Sequence, residues 1–568
     1  MLSYRKLAMR VLGRPLHTGG IDSPRPASQR AAAFILTAAM LTTLAAPAFA
    51  DIWHIEDGDI TVKAGETGND VTQKGTTTYG DTDTIITNSD KNTASSHTVT
   101  IEANDKDDKV EVTLKDVNID TSSRNKAAVS VTGSGNTTIK LDGDNALKSD
   151  SSRSGIYGSG SLTITGGEND SLTAQGGSGA NGIYSSGSLT ISGGTVTANG
   201  GDGDNGIYSS GSVTISGGST VTANGGNGTI SGGNGIYSDS GDVTISGGST
   251  VTAKGGDGGS FGGGSGISSF PRVAISGSTV TANGGDSSSN SGGYGISSLD
   301  VAISSGTVTA NGGDSKDGSG GNGIYSSSGV AISGGAVTAN GGDSKDGSGG
   351  NGIYSSSSVA ISGGTVTATG GDSTGSDGSG GNGIYSRNGS IDLSGSLELT
   401  AKAGSPNGKA LSQNGSELVL DTIKDKLGPG AKVTATDADG KVIDQVSTPR
   451  PVEPEESSSS SDGGSAAPSA PVSPLPGLTV TDKDGQRISY TSTQSGNTLT
   501  VCVGRFTASF RISLAALRQL RAEGIETIAF QTILCSTTLS VDELLAMGSE
   551  DAEAVLTHRF TDSSLTVG

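Results

Sequence analysis

Seven tyrosines hold the same place in a recurring unit. Tyr157, Tyr184, Tyr208, Tyr237, Tyr325, Tyr354 and Tyr385 each follow a Gly-Ile pair, and Ser268 and Ser297 hold that place in two further copies. Neighbouring side chains on a strand point to opposite faces. An inward Ile therefore leaves the Tyr outward, and stacked copies would display a column of rings broken in the middle. Two readings are open. Flat aromatic faces can lie against pyranose rings, which makes Tyr184, Tyr208, Tyr237, Tyr325, Tyr354 and Tyr385 candidate ligand-binding residues. Rings on neighbouring strands can also pack against one another as cross-strand pairs.

Carboxylates are the next candidates. Asp314 with Asp317, and Asp343 with Asp346, lie in Gly/Ser loops where hard oxygen ligands could meet a calcium ion. The stretch Gly200-Gly-Asp-Gly-Asp-Asn-Gly-Ile-Tyr208 approximates a calcium-binding nonapeptide, with Asn where that motif takes Asp. Solvated polar turns account for the same residues, and no cofactor is required. After residue 50 only His54, His97 and His558 remain, and none has zinc-ligand spacing. No unique set of acid, base and nucleophile interrupts the repeats, which argues against an enzyme. Thr-x-Thr pairs such as Thr195/Thr197 and Thr220/Thr222 read as a wet outward strand face. A flat array of such pairs also resembles ice-binding solenoids. The two cysteines, Cys502 and Cys535, are expected to form a disulfide if the chain is exported, with two buried thiols as the alternative.

These residues are positioned by the repeat itself. Gly-Ile opens copies at Gly155, Gly182, Gly206, Gly235, Gly266, Gly295, Gly323, Gly352 and Gly383. Self-similarity at this period signals a stacked solenoid. In residues 206–224, Ile207, Val213, Ile215, Val221 and Ala223 are predicted inward, and Thr214, Thr220 and Thr222 outward. Three short strands close one coil, with Ser-Gly, Gly-Gly and Asn-Gly corners supplying positive φ. Length varies mainly between the Asn-Gly-Gly corner and the next Gly-Ile, so the variable loops share one edge of the stack. A dozen coils would give a rod of roughly 60 Å at ~4.8 Å per rung.

Composition agrees with a narrow core. Of 568 residues 95 are Gly, and aromatics make up 4%. Residues 1–50 read as a secretory signal peptide: a basic leader, an apolar run from Ala31 to Ala46, and a small-residue site ending at Ala50. Removing their six basic residues and one acid from the 36 and 57 of the chain leaves 30 and 56, a net charge of −26. So acidic a surface disfavours nucleic acid and anionic membranes, and no later segment is apolar enough to insert in a bilayer. A secreted or cell-surface location follows.

Four segments are expected. The leader (1–50) precedes a parallel β-helix at 51–446, whose first rungs are irregular and include strands at 98–101, 109–114, 128–131 and 138–141. Its closing cap carries a hairpin at Asp439-Gly440. A Pro/Ser-rich linker spans 447–477. A small α+β domain fills 478–568. It has a hairpin at Asp484-Gly485, a helix N-capped by Ser513 and stopped at Gly524, and a capping box at Ser540-Val-Asp-Glu543.

The run Thr138-Ile-Lys-Leu-Asp-Gly-Asp-Asn-Ala-Leu147, followed by Ser154-Gly-Ile-Tyr157, Ser161-Leu-Thr-Ile-Thr-Gly-Gly167 and Ser171-Leu-Thr-Ala-Gln-Gly-Gly177, resembles secreted clostridial-type right-handed β-helix carbohydrate-binding proteins. The resemblance covers roughly residues 97–420. It implies a pectate-lyase-like fold, a polysaccharide ligand and calcium. The sequence therefore leads us to expect an all-β right-handed parallel β-helix followed by an α+β domain. Its expected role is non-catalytic: bacterial carbohydrate binding or adhesion to a polysaccharide or host glycan. A β-helix polysaccharide lyase or glycoside hydrolase is the first alternative, and a structural surface rod displaying the C-terminal domain the second.

Overall fold

A computed structural model describes residues 51–449 and, with short gaps, 477–567. The expected signal peptide and most of the expected linker lie outside the described residues. The chain divides into two units, one ending at Pro454 and one beginning at Glu455.

The first unit is a parallel β-helix. One coil runs Ile207–Ser209, Val213–Ser216, Thr220–Asn224. Each strand pairs in parallel with its counterpart one rung on: Ile207 with Ile236, Val213 with Val243, Val221 with Val251. The alternation of apolar and polar residues explains the register, since a slip by one would bury Thr and expose Val. The inward residues form one continuous core from Ile55 to Val446, built of Ile, Val, Leu and Ala. The third strands make a thirteen-stranded sheet from Asn118–Asp120 to Val442–Ser447.

Serine joins this core. In Gly-Ile-Tyr-Ser the Ser is inward as well, and Ser185, Ser209, Ser238, Ser326, Ser355 and Ser386 are fully buried. A buried hydroxyl needs a partner. Ser209 Oγ donates to Gly187 O at 2.7 Å and Ser238 Oγ to Gly211 O at 2.7 Å, each reaching the preceding rung.

Glycine works in two ways, of which the sequence suggested one. At the corner after the second strand it supplies positive φ: +67° and +72° at Gly217 and Gly218, +69° and +76° at Gly247 and Gly248. At the Asn-Gly-Gly corner φ is ordinary, and crowding decides. A Cβ on Gly313 would stand 2.0 Å from Gly285 O, and one on Gly342 2.0 Å from Gly313 O. Here two glycine segments of each coil interleave with those of its neighbours. Gly313 N donates to Gly293 O, Gly321 N to Gly313 O and Gly342 N to Gly321 O, all at 2.8 Å. The variable loops beyond this pinch fall on one edge, as expected, and are themselves stacked: Ser287, Ser315, Ser344 and Ser373 bridge in parallel from rung to rung.

Three rungs depart from the three-strand pattern. In Ile267–Ile275, Ile296–Ile303 and Ile324–Ile332 the first two strands run on as one, with register shifts at Ser269/Arg272 and Ser298/Asp300. The predicted early strands are present at Val99–Glu102, Lys109–Lys115, Val129–Thr132 and Asn136–Asp142. Ahead of them lies an antiparallel run, Ile60–Ala64, Asn69–Gln73 and Thr76–Asp81, that the repeat did not announce. Trp53 Nε1 donates to Asp81 Oδ2 at 3.0 Å beside it. At the other end the predicted hairpin forms around Gly440 (φ +81°), pairing Lys432–Thr436 with Val442–Ser447. Thr448 N still donates to Ala431 O at 2.9 Å, so the cap continues past the expected boundary at 446.

Among the described residues the second unit has two four-stranded sheets and two helices around its own core, which includes Phe510, Phe530, Leu514 and Leu517. Thr481 bridges Arg487 across the expected first hairpin, whose turn lies outside the described residues. Helix Leu514–Ala522 is capped by Ser513, whose side chain accepts from Ala516 N at 3.2 Å, and Gly524 follows at φ +92°. Helix Val541–Ala546 is capped by Ser540. Cys502 is a free thiol whose Sγ donates to the side-chain oxygen of Gln531 at 3.5 Å. The expected disulfide would join this sulfur to Cys535. Cys535 itself lies outside the described residues.

Candidate functional site

The outward positions of the first strands form one column in register. It runs Thr61, Thr100, Ser130, then Tyr157, Tyr184, Tyr208 and Tyr237. Ser268 and Ser297 follow, then Tyr325, Tyr354, Tyr385 and Ser412. All six ligand candidates named from sequence therefore stand in this column. The rings stack on one another: Tyr157 on Tyr184 with centroids 5.0 Å and planes 3° apart, Tyr184 on Tyr208 at 5.0 Å and 4°, Tyr325 on Tyr354 at 5.2 Å and 6°. Packing thus uses most ring faces, and all six candidates keep only half-buried edges for a ligand.

The expected break is half closed. Tyr294 occupies the place held by Asn322 one rung on, its carbonyl accepting from Gly266 N as that of Asn322 accepts from Gly295 N, and it stacks on Tyr325, centroids 4.7 Å and planes 8° apart. The rings thus form two groups of four, and between them only the rung of Ser268 carries no ring. At the inner end of the first stack Tyr237 tilts 57° from Tyr208 and donates to Asp239 Oδ1 at 3.0 Å. At the far end of the second, Tyr385 stands edge-on to Tyr354 at 76°.

The first end is different. Tyr157 has Tyr184 on one side and, in register on the other, only Ser130. It is the most open ring of the column, 44% exposed. The step from ring to hydroxyl leaves a groove of about 600 Å³ over Thr100, Ser130 and Thr132, walled by Tyr157 and Tyr184 and by Asn125, Arg153 and Asn181 of the adjoining turns. No carboxylate lines it.

The groove's polar wall is braced from below. Asp59 accepts from Arg124 Nη1 at 2.6 Å and Nη2 at 2.9 Å, from Lys126 Nζ at 3.2 Å and from Thr98 N at 3.0 Å. Burial would raise the Asp59 carboxyl, but the Arg124, Thr98 and Lys126 hydrogen bonds outweigh it and hold it far below the usual range. These contacts fix the turn carrying Asn125, which sits at φ +49° and accepts from Arg153 Nε at 3.2 Å. Arg153 has no carboxylate partner among the described residues. Sequence reasoning missed Ser130, Thr100, Asn125 and Arg153. The signal available was the change from Tyr to Ser at one repeat position.

The loop carboxylates named as possible calcium ligands make contacts within and between rungs. Asp314 Oδ1 accepts from Asp343 N at 2.8 Å and Asp343 Oδ1 from Asp372 N at 2.7 Å, each reaching one rung on. Asp317 pairs with Lys316 at 3.7 Å, and Asp346 N donates to Lys316 O at 2.9 Å. Among the described residues no three His, Cys, Asp or Glu side chains converge as a metal site. The Thr positions form a long register too: Thr occupies ten successive rungs from Thr173 to Thr434 on the thirteen-stranded sheet.

A stacked repeat with an open aromatic step defines a parallel β-helix repeat protein. The family model described as beta helix repeat matches residues 189–210, 273–298, 301–323 and 359–383. No curated protein and no solved structure matches the chain. Among the described residues no helix is long and apolar enough to cross a membrane.

Proposed function

We propose that the β-helix is a non-catalytic carbohydrate-binding module of a secreted or cell-surface protein, and that the ligand sits in the groove at Tyr157. The observation that carries this reading is the free face of Tyr157 over the hydroxyls of Ser130 and Thr100. A pyranose ring there would take the place of the next ring in the stack, its apolar face on Tyr157. Its hydroxyls would meet Ser130, Thr132, Asn125 and Arg153. A groove with a few convergent polar groups is the usual form of a small-molecule site.

Catalysis by paired carboxylates needs two acids flanking the bond, and the groove is lined by none. An eliminating lyase is favoured by one observation: Arg153 lines the groove beside the ring and, among the described residues, has no acid partner. Wild-type protein and the Tyr157→Ala and Ser130→Trp variants should be compared on a glycan array, with release of reducing and unsaturated ends followed in parallel. Retention lost in both variants, without new ends, is the expected result. Unsaturated ends that vanish with Arg153→Ala would favour the lyase. Retention on no glycan would favour the structural rod.

A further inference from the structure

The chain holds fifteen Asn-Gly pairs. This dipeptide is chemically fragile. The Gly backbone nitrogen attacks the Asn side-chain carbonyl carbon, ammonia leaves, and a cyclic imide forms. Water then opens the imide to aspartate or isoaspartate, so the net change is one water in and one ammonia out. The attack needs a free backbone nitrogen and a chain able to fold back on it.

The β-helix withholds both from most pairs. In thirteen of them the Gly N–H donates to a backbone carbonyl, in nearly every case one rung away. Examples are Gly182 N to Asn205 O at 3.1 Å, Gly312 N to Asn340 O at 2.8 Å and Gly352 N to Asn382 O at 2.9 Å. The side chains are also engaged: Asn351 Nδ2 donates to Asn322 Oδ1 at 2.9 Å and Asn382 Nδ2 to Asn351 Oδ1 at 2.8 Å. Gly389 and Gly415 are the exceptions, and neither N–H has a partner among the described residues. Asn388 is exposed at a corner. Asn414-Gly415, with φ +49° and +81°, is the turn of a hairpin only two pairs long, Ser412 with Glu417 and Gln413 with Ser416. A turn so lightly held opens easily.

We propose that Asn388 and Asn414 are the sites of spontaneous deamidation in the folded protein, and that the rung-to-rung hydrogen bonds protect the ladder asparagines. The ladder thus makes a sequence of poor chemical durability durable. Modification concentrates at two exposed points near the closing cap, where it adds negative charge.

Full-length protein should be held at mildly alkaline pH and sampled over days, folded and in urea, with peptide mapping by mass spectrometry and isoaspartate detection. In the folded protein Asn388 and Asn414 are expected to convert at least tenfold faster than Asn351 or Asn311, equivalent to about 1.4 kcal/mol of local opening. In urea the difference should disappear. Equal rates at Asn351 and Asn414 in the folded protein would overturn the proposal. So would a urea-unfolded chain in which Asn351 and Asn311 stay as slow as in the folded one.

Discussion

Tyr294 stacks on Tyr325 although it stands three residues ahead of Ser297, which holds the column position in register with Tyr325. An aromatic residue taken from the Asn ladder thereby restores one of the two missing rings. Burial pushes the Tyr294 hydroxyl up, as does the neighbouring Tyr325. Replacing Tyr294 by Asn should restore the ladder residue but remove the stack. The expected loss is about 1 kcal/mol, from one aromatic pair. Denaturant unfolding of wild type and Tyr294→Asn measures it, and an unchanged midpoint would show the stack to be energetically idle.

The two kinds of glycine should respond differently to alanine. Gly248 has open space around its Cβ position but sits at φ +76°. Gly248→Ala should cost about 1 to 2 kcal/mol, the strain of a left-handed alanine. Gly313 has an ordinary φ, yet its Cβ would meet a carbonyl oxygen at 2.0 Å. Gly313→Ala should cost about 3 kcal/mol or more, as overpacking against backbone with little freedom to move. Thermal melts of both variants decide it. The reverse order would mean that the pinch at the Asn-Gly-Gly corner yields readily.

The loop edge carries like charges in register. Asp286, Asp314 and Asp343 stand on successive rungs, and partial burial together with the neighbouring carboxylates raises the Asp314 carboxyl, against the Asp343 amide. A raised acid means that the folded state binds its proton more readily. Its destabilising effect is therefore absent at low pH and grows as pH rises from about 3.8 through the raised value. Asp314→Asn keeps the acceptor and removes the charge. A modest rise in melting temperature at neutral pH is expected, with a weaker response to added salt. A fall would show that the carboxylate is held by a favourable partner.

His558 is a buried group with the opposite response. It is fully buried, with Nε2 2.9 Å from Thr537 Oγ1 and, among the described residues, no partner for Nδ1. Its ring stands edge-on to Phe510 at 5.5 Å. Burial holds the imidazole below its ordinary value. The unfolded chain then takes up the proton first, so stability is full above about pH 6.5 and falls as pH drops from there toward the folded value. Calorimetry of the full chain should show the C-terminal domain losing stability between neutral pH and pH 5. His558→Leu should flatten that dependence.

Much of this protein follows from the sequence itself. The Gly-Ile spacing sets one coil per repeat, and period-two alternation decides that Ile207, Val213, Ile215 and Val221 face inward, because a slip by one reverses every side chain. The caps at Ser513 and Ser540 are likewise local, since the signal lies within four residues. The ligand groove was not legible in the same way. The tyrosines were named, but Ser130 and Asn125 become neighbours of Tyr157 and Arg153 only when separate rungs are laid in register. The tertiary structure alone decided that Tyr294 fills a gap three positions from its own place, and that Gly313 is glycine because another coil's carbonyl occupies the space. Both are contacts between rungs, and variable loops hide that alignment until the chain is stacked.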